Sequence, residues 1–442
     1  MKWAIFAIGL VGIFPMVGWL RTKKHYLPYV WMAVGAIPFI WGVLPKREIA
    51  IMGVPDWPGF TQGFDVSLLD LLIVALYLSA PRAKPMRLPF KISFFLYIGA
   101  VFLSGFQAAN PTATWYYVWQ LLRMFMAYTV VARACADPRL TAALIKGLAF
   151  GLCFEAGIVA WQRFVIHYIQ APGTFAQQNM LGIAVHFVIF PFFALLLSGE
   201  REWRPVAIPI LGTMIDIFTA SRASLGFAGI GFALLFLLSA VRKWTSRKAR
   251  ILVASIVVLI LLSPVAIRQF ALRMDVFGVG EDGGRAALNN AAQAVLSDRP
   301  MGIGANNLVV FANVQGYYER ADVGNKNGIT FPHNIYWVTS AETGYFGIIA
   351  LLIFLGRPLL LALSCGWQNR QDRRGDVLLG LGMSLLIVYV HSYFEWIFLT
   401  DQIQYLFAID LGIIAGLATQ LGHFGATANG PKKNSALRRP DQ

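Results

Sequence analysis

Apolar stretches of about 20 residues alternate with short polar connectors along almost the whole chain. Thirteen are read, at 3–20, 27–44, 65–80, 92–107, 114–132, 141–168, 179–198, 205–220, 223–241, 251–267, 335–363, 377–394 and 402–421. Stretches of that length suit helices crossing a hydrocarbon layer. The pattern predicts an all-α, polytopic transmembrane helical bundle of about 12–13 spans. A β-barrel is excluded, because its strands would show short alternating segments. The first stretch lacks a small-x-small cleavage site, and its basic cluster follows the apolar run, so it is not read as a signal peptide.

The connectors add orientation. Basic ones carry Arg21/Lys23/Lys24, Arg82/Lys84/Arg87/Lys91, Arg133/Arg139, Arg201/Arg204, Arg242 through Arg250, Arg370/Arg373/Arg374 and the tail Lys432/Lys433/Arg438/Arg439. Between them, 108–113, 169–178 and 395–402 hold no Lys or Arg. The positive-inside rule puts the basic set and the C-terminus in the cytoplasm. One connector differs: 268–330 is polar, glycine-rich and too long for a plain loop, so it is expected to fold outside the cytoplasm between the tenth and eleventh spans. Within it, Gly284–Ser297 has helical spacing of Ala287, Leu288, Ala291, Ala294 and Val295, ended by Arg299-Pro300 and a turn at Gly302 and Gly304. The expected organisation is N-terminal spans over 1–267, a large extracytoplasmic loop over 268–334, C-terminal spans over 335–421 and a disordered cytoplasmic tail over 422–442.

Composition sharpens this picture in one respect. The chain of 442 residues is 57% hydrophobic and 13% charged, which rules out a set of soluble domains. Its net charge of +15 would suggest nucleic acid in a soluble protein. Here most of the excess sits in the basic connectors, so no nucleic-acid partner is expected and the bilayer is. Cys135, Cys153 and Cys365 have neither disulfide-framework nor metal spacing.

Polar residues in or at the ends of spans are costly to bury and therefore informative. Arg123, Arg163, Arg222 and Arg285 all fall on the outer half, where positive-inside does not explain them. Each alone could snorkel or pair with an acid. Together, outward guanidiniums form a receptor suited to a phosphate or diphosphate. Asp216 is a candidate buried counter-ion, with a structural role. His333, at the junction of loop and span, is a candidate general base, against an interfacial histidine bonded to backbone. Glu342 reads as a structural partner, and Ala341, Gly344 and Gly347 as a small face for helix packing. The turn Gly173–Asn179 could bind sugar hydroxyls or cap a helix. His391 and Glu395, four apart on one helical face, are expected to pair. There is no Walker A loop, HExxH, GxSxG or aspartate-rich metal site, so neither metal nor cofactor is expected.

These motifs, in order over roughly 160–350, resemble the O-antigen ligase and O-antigen polymerase superfamily of bacterial envelope proteins. GTFAQQN is similar to the family's GTF-x-x-x-N turn, and SRAS to its Ser-Arg turn. RAALNNAAQAVLSDRPMGIG resembles the R-x(n)-P-x-G-x-G signature of its periplasmic loop, without the aromatic that often follows the arginine. HNIYWVTSAETGYFG resembles H-N-x-Y-x(5)-E-x-G-x-x-G. The resemblance implies an inverting, metal-independent membrane glycosyltransferase at the periplasmic face of the bacterial inner membrane. Its donor would be a glycan on undecaprenyl diphosphate, and its acceptor a hydroxyl on lipid A–core or another glycan. Arg222 and Arg285 would hold the diphosphate and His333 would serve the acceptor. Arg163, Arg123, Asn179, Asn334, Tyr336 and Glu342 are the further candidates for substrate binding. The single His-Asn/Glu-Gly block and one dominant loop fit the ligase branch. A polymerase or protein O-oligosaccharyltransferase of the same superfamily is the alternative, and a lipid-linked glycan transporter the alternative from another class.

Overall fold

The computed structural model describes residues 2–44, 48–81, 86–199, 202–277, 282–324 and 330–424. Each of the thirteen apolar stretches is a helix. In chain order these are α1 (Lys2–Thr22), α2 (Leu27–Ile40), α3 (Leu68–Ser79), α4 (Lys91–Ser104), α5 (Pro111–Ala134), α6 (Pro138–Phe164), α7 (Gln178–Ser198), α8 (Arg204–Thr219), α9 (Arg222–Arg242) and α10 (Ser246–Phe277). After the shorter α11 (Asp282–Asp298), α12 (Leu308–Val314) and α13 (Tyr317–Arg320) come α14 (Ile335–Gln368), α15 (Arg373–His391) and α16 (Asp401–Gln420). Among the described residues, eight helices are long and apolar enough to cross a membrane: α2 with the short turns that flank it (Lys24–Val43), α6, α7, α9, α10, α14, α15 and α16. The chain is an all-α polytopic helical bundle.

Side chains at the connectors set where the helices start. Ser67 and Asp70 form a reciprocal capping box on α3, Asn110 caps α5 ahead of Pro111, and Asp137 caps α6 ahead of Pro138. Ser221 caps α9, Asn334 caps α14 and Asp372 caps α15. Helices α7 and α16 form the centre, almost wholly buried, whereas α10 lies at the rim with its apolar surface uncovered. That surface suits lipid, because a helix apolar all round needs an apolar surrounding. Around the centre, α5 packs on α16, α8 and α15 on α7, α9 on α7 and α15, α2 on α6, and α4 on α14.

The connectors sort by charge onto opposite ends. At one end Arg242 pairs with Asp376 at 2.8 Å and donates to the carbonyls of Gly366 and Arg370, among the basic connectors. At the other end the connectors free of Lys and Arg meet the α11–α13 segment: Asn110 N donates to Asn307, and Trp396 packs on Phe331.

Several boundaries differ from the sequence reading, each because tertiary packing overrides local hydropathy. Residues 48–67, read as connector and helix start, form an antiparallel hairpin of β1 (Glu48–Gly53) and β2 (Gly63–Ser67). Its turn docks onto the loop that precedes α12. Trp57 Nε1 donates to Asn306 O at 2.9 Å, and Asn306 Nδ2 donates to Thr61 O at 2.7 Å. Helix α10 runs ten residues past the expected end at 267, and α15 stops at His391 instead of 394. The expected loop helix is present as α11. Of the expected tail 422–442, residues 425–442 lie outside the described residues, as do the basic residues assigned to it and Arg82, Lys84 and Arg201.

Candidate functional site

The loop end is held together by a join between two of the sequence motifs. Inside α14, Gly344 adopts φ +68° and ψ −170°, a conformation open to glycine alone, and divides the helix in two. The expected small packing face is therefore, at Gly344, a helix break. Into it fits the turn Pro300-Met301-Gly302-Ile303-Gly304. The amides of Ile303 and Gly304 donate to Glu342 O at 3.0 and 2.8 Å, and Tyr345 N donates to Pro300 O at 3.0 Å. Gly302, at φ +84°, lies so close that a Cβ would overlap the Glu342 carbonyl. The Glu342 side chain completes the join, accepting from Leu308 N at 3.1 Å and from the neighbouring backbone amides. Its carboxyl is buried in protein and braces the loop.

This join sets α11 and the segment before α14 against the end of α15. Ile335 N donates to Ser392 O at 3.0 Å, and Phe331 packs on Trp396 with ring centroids 5.0 Å apart. Segments 331–335 and 392–396 thus run side by side, and His333 comes over Glu395.

Glu395 is the hub of the site. Its Oε2 lies 3.0 Å from His333 Nδ1. Its Oε1 accepts from Asn179 Nδ2 at 2.7 Å and meets Arg285 Nη2 at 3.5 Å. The Glu395 side chain is 3% exposed, His333 25% and Arg285 33%, so the carboxylate is walled in while both partners reach solvent. A carboxylate accepting from Nδ1–H selects the tautomer whose Nε2 carries a free lone pair. The ring is then ready to take a proton at Nε2. Arg285 touches Glu395 with one nitrogen at the outer limit of a hydrogen bond, which leaves most of its donor fork for an anion.

Arg222 stands at the same end. It is the first residue of α9, exposed, with no acidic partner among the described residues. The turn before it is fixed by Ala220 at φ +52°, whose carbonyl accepts from Arg273 at 2.5 Å, and by the Ser221 cap. One turn into each helix, Gly182 of α7 touches Ser224 of α9, and Phe227 packs on Phe394, the neighbour of Glu395. The starts of α7 and α9 thus converge beside Glu395, and their free amides favour negative charge there.

Of the residues expected at the site, the structure brings together His333, Arg285 and Asn179 by direct contacts, and places Arg222 at the same end. The Asn334 side chain is used on the helix start, its Oδ1 accepting from Tyr336 N and Trp337 N. Tyr336 donates to Tyr389 O at 2.8 Å. Arg163 donates to Tyr168 O in its own loop at 3.1 Å. Arg123 sits apart, bonded to Asp70 and to the Tyr405 hydroxyl at 2.7 Å each. The turn Gly173-Thr174 is held by α6, with Gly173 N on Gln162 and Thr174 N on Glu155.

Sequence reasoning missed Glu395 as a site residue and paired it with His391. That pair does not form, because α15 ends at His391 and Glu395 leaves the helical face on the turn that follows. His391 is buried beside His186 and Phe227. The usable signal was a lone acid in HSYFEW, at the edge of a connector with no basic residue.

Residues 207–352 match the family model for O-antigen ligase, a span that takes in Arg222, Arg285, the loop turn, His333 and Gly344. No curated protein matches the chain. This segment is therefore similar to the O-antigen ligase family.

Proposed function

We propose that the protein is an inverting glycosyltransferase of the bacterial inner membrane, working at the periplasmic face as an O-antigen ligase. It would move a glycan from undecaprenyl diphosphate to a hydroxyl of lipid A–core. The observation that carries this reading is the Arg285–Glu395–His333 contact set at the end of the bundle with uncharged connectors. The acceptor hydroxyl gives its proton to His333 Nε2 as its oxygen attacks the anomeric carbon. The bond from that carbon to the diphosphate oxygen breaks, and the leaving diphosphate takes the electron pair. Arg222 and Arg285 offset the charge that develops on it, supported by the helix starts. Displacement from the face opposite the leaving group inverts the anomeric centre. Glu395 holds the histidine tautomer and stabilises the imidazolium. The apolar tail of the donor would lie along the bundle in lipid.

The test is reconstitution of the purified protein with a polyprenyl-diphosphate glycan and lipid A–core. Glycan joined to core with inverted linkage is the expected product. Chain extension of the glycan in place of transfer to core would replace the ligase reading with polymerase, and full activity in His333→Ala would refute the base assignment.

A further inference from the structure

A second polar site lies behind the first. Between the hairpin, α5 and the start of α16 is a cavity of ≈ 210 Å³. It has room for several waters or one sugar ring. Three carboxyls line it, Glu48, Asp65 and Asp401, with Thr61 and Phe60. Gln120 and Arg123, each 5% exposed, complete the lining. Gln120 donates through Nε2 to Leu399 O and Gln404, and its Oε1 has no partner among the described residues. Arg123 uses Nε and Nη2 on Asp70 and Tyr405, and its Nη1 likewise has none.

Two observations say what chemistry this cavity suits. The lining mixes acceptors, donors and an aromatic residue, a combination that suits both the hydroxyls and the apolar side of a pyranose. Glu48 and Asp401 share a hydrogen bond, and among the described residues no three acids, histidines or cysteines are grouped so as to hold a metal ion. The charge balance is negative, because Arg123 is already matched by Asp70. Burial and the neighbouring Asp401 push the Glu48 carboxyl up to about 10, so it is a proton donor at neutral pH, while Asp65 is raised mainly by burial.

The cavity adjoins the transfer site. Phe60 packs on Phe331, two residues before His333, and Phe331 packs on Trp396, next to Glu395. Asp401 follows Glu395 by six residues through a short 3-10 turn.

We infer that this cavity is a carbohydrate subsite, which seats one neutral or amine-bearing sugar of the glycan substrates beside the reacting hydroxyl and rejects uronic acids. The inference rests on the glycan-transfer reading for its purpose, but binding is measured without turnover. The experiment is saturation-transfer NMR on the full chain in lipid nanodiscs, with methyl glucoside, methyl glucosaminide and methyl glucuronide as probes. Transfer to the first two, stronger for the amine and near zero for the uronide, is expected in the wild type and equally in His333→Ala. It should fall at least fivefold in Asp401→Asn and in Asp65→Asn. Absence of transfer to both the glucoside and the glucosaminide, or undiminished transfer in both variants, overturns the subsite. Binding without any glycosyl transfer would leave the subsite standing and refute the transferase reading alone. In the transfer assay, Asp401→Asn should raise KM at least fivefold with kcat held. A rise for the core acceptor assigns the subsite to the acceptor and a rise for the lipid-linked donor assigns it to the donor; no rise for either overturns the inference.

Discussion

Replacing Glu395 by Gln tests the central contact with a change of one atom type. In the wild type, Glu395 Oε2 accepts from His333 Nδ1 at 3.0 Å while Oε1 accepts from Asn179 at 2.7 Å. A glutamine keeps the Asn179 bond only if its carbonyl oxygen stays in place, which turns its NH₂ toward His333. Nδ1 must then accept instead of donate, and the ring proton moves to Nε2, where the base is needed. General-base catalysis is worth about 10²–10⁴-fold, so kcat should fall by that factor, about 2.7–5.5 kcal/mol of barrier. The fold should survive, since the site is held by the backbone bond from Ile335 to Ser392 and the Phe331–Trp396 contact. Single-turnover transfer with saturating donor and acceptor reads the chemical step, and circular dichroism reports the fold. Activity within threefold of wild type, with the fold intact, would refute the tautomer argument. Glu395→Asp, which keeps the charge on a shorter arm, should retain more activity than the isostere.

Three further outcomes follow from the geometry. Arg222→Ala and Arg285→Ala should each lower kcat/KM for the lipid-diphosphate donor by about 10–100-fold, with lysine recovering part, because one charge-assisted donor set is lost at the leaving group; donor-titrated transfer checks this. Gly344→Ala should destabilise the protein by about 2–4 kcal/mol, from backbone strain and overlap with the Pro300 carbonyl, whereas Gly99→Ala, with open space around it, should be neutral in detergent thermal melts. Glu48→Gln should stabilise the protein at pH 8 by about 1–3 kcal/mol. The folded carboxyl is raised from 4.5 to about 10, so its contribution is fully present below 4.5 and is lost as pH rises toward 10. The difference between variant and wild type should therefore widen from pH 5 to pH 9 in a melt series.

The helices were legible because each span is a long apolar run, and six of them begin at a capping Ser, Asn or Asp. The hairpin at 48–67 was not, since its stability comes from Asn306, about 250 residues away, which bonds the Thr61 segment. Extension of α10 to Phe277 was also hidden, because its last turns are polar and sequence hydropathy stops where the lipid would. At the site, arginines on the wrong side for the charge rule and a histidine at a loop-to-span junction singled out Arg285 and His333, which the structure brings to one carboxylate, Glu395. Arg123 stands away from that carboxylate, its charge matched inside the fold by Asp70, a residue no local pattern links to it. Glu395 was assigned to His391 by assuming that the helix continued. The glycine motifs were legible as motifs, but that Gly302 and Gly344 exist for each other is a fact of three dimensions.

The reach of Glu395 and Asn179 into the site has a consequence for how such proteins can be recombined. The segment matching the family, 207–352, carries the arginines and the histidine but neither of these two residues. A chimera that exchanged only that segment between relatives would import a histidine whose tautomer is dictated by its new host. Its activity would then track the identity of the host's residues at the start of the seventh helix and just past the end of the fifteenth. The smallest heritable unit of this site is discontinuous, and a library of chimeras scored for transfer should divide along those two positions.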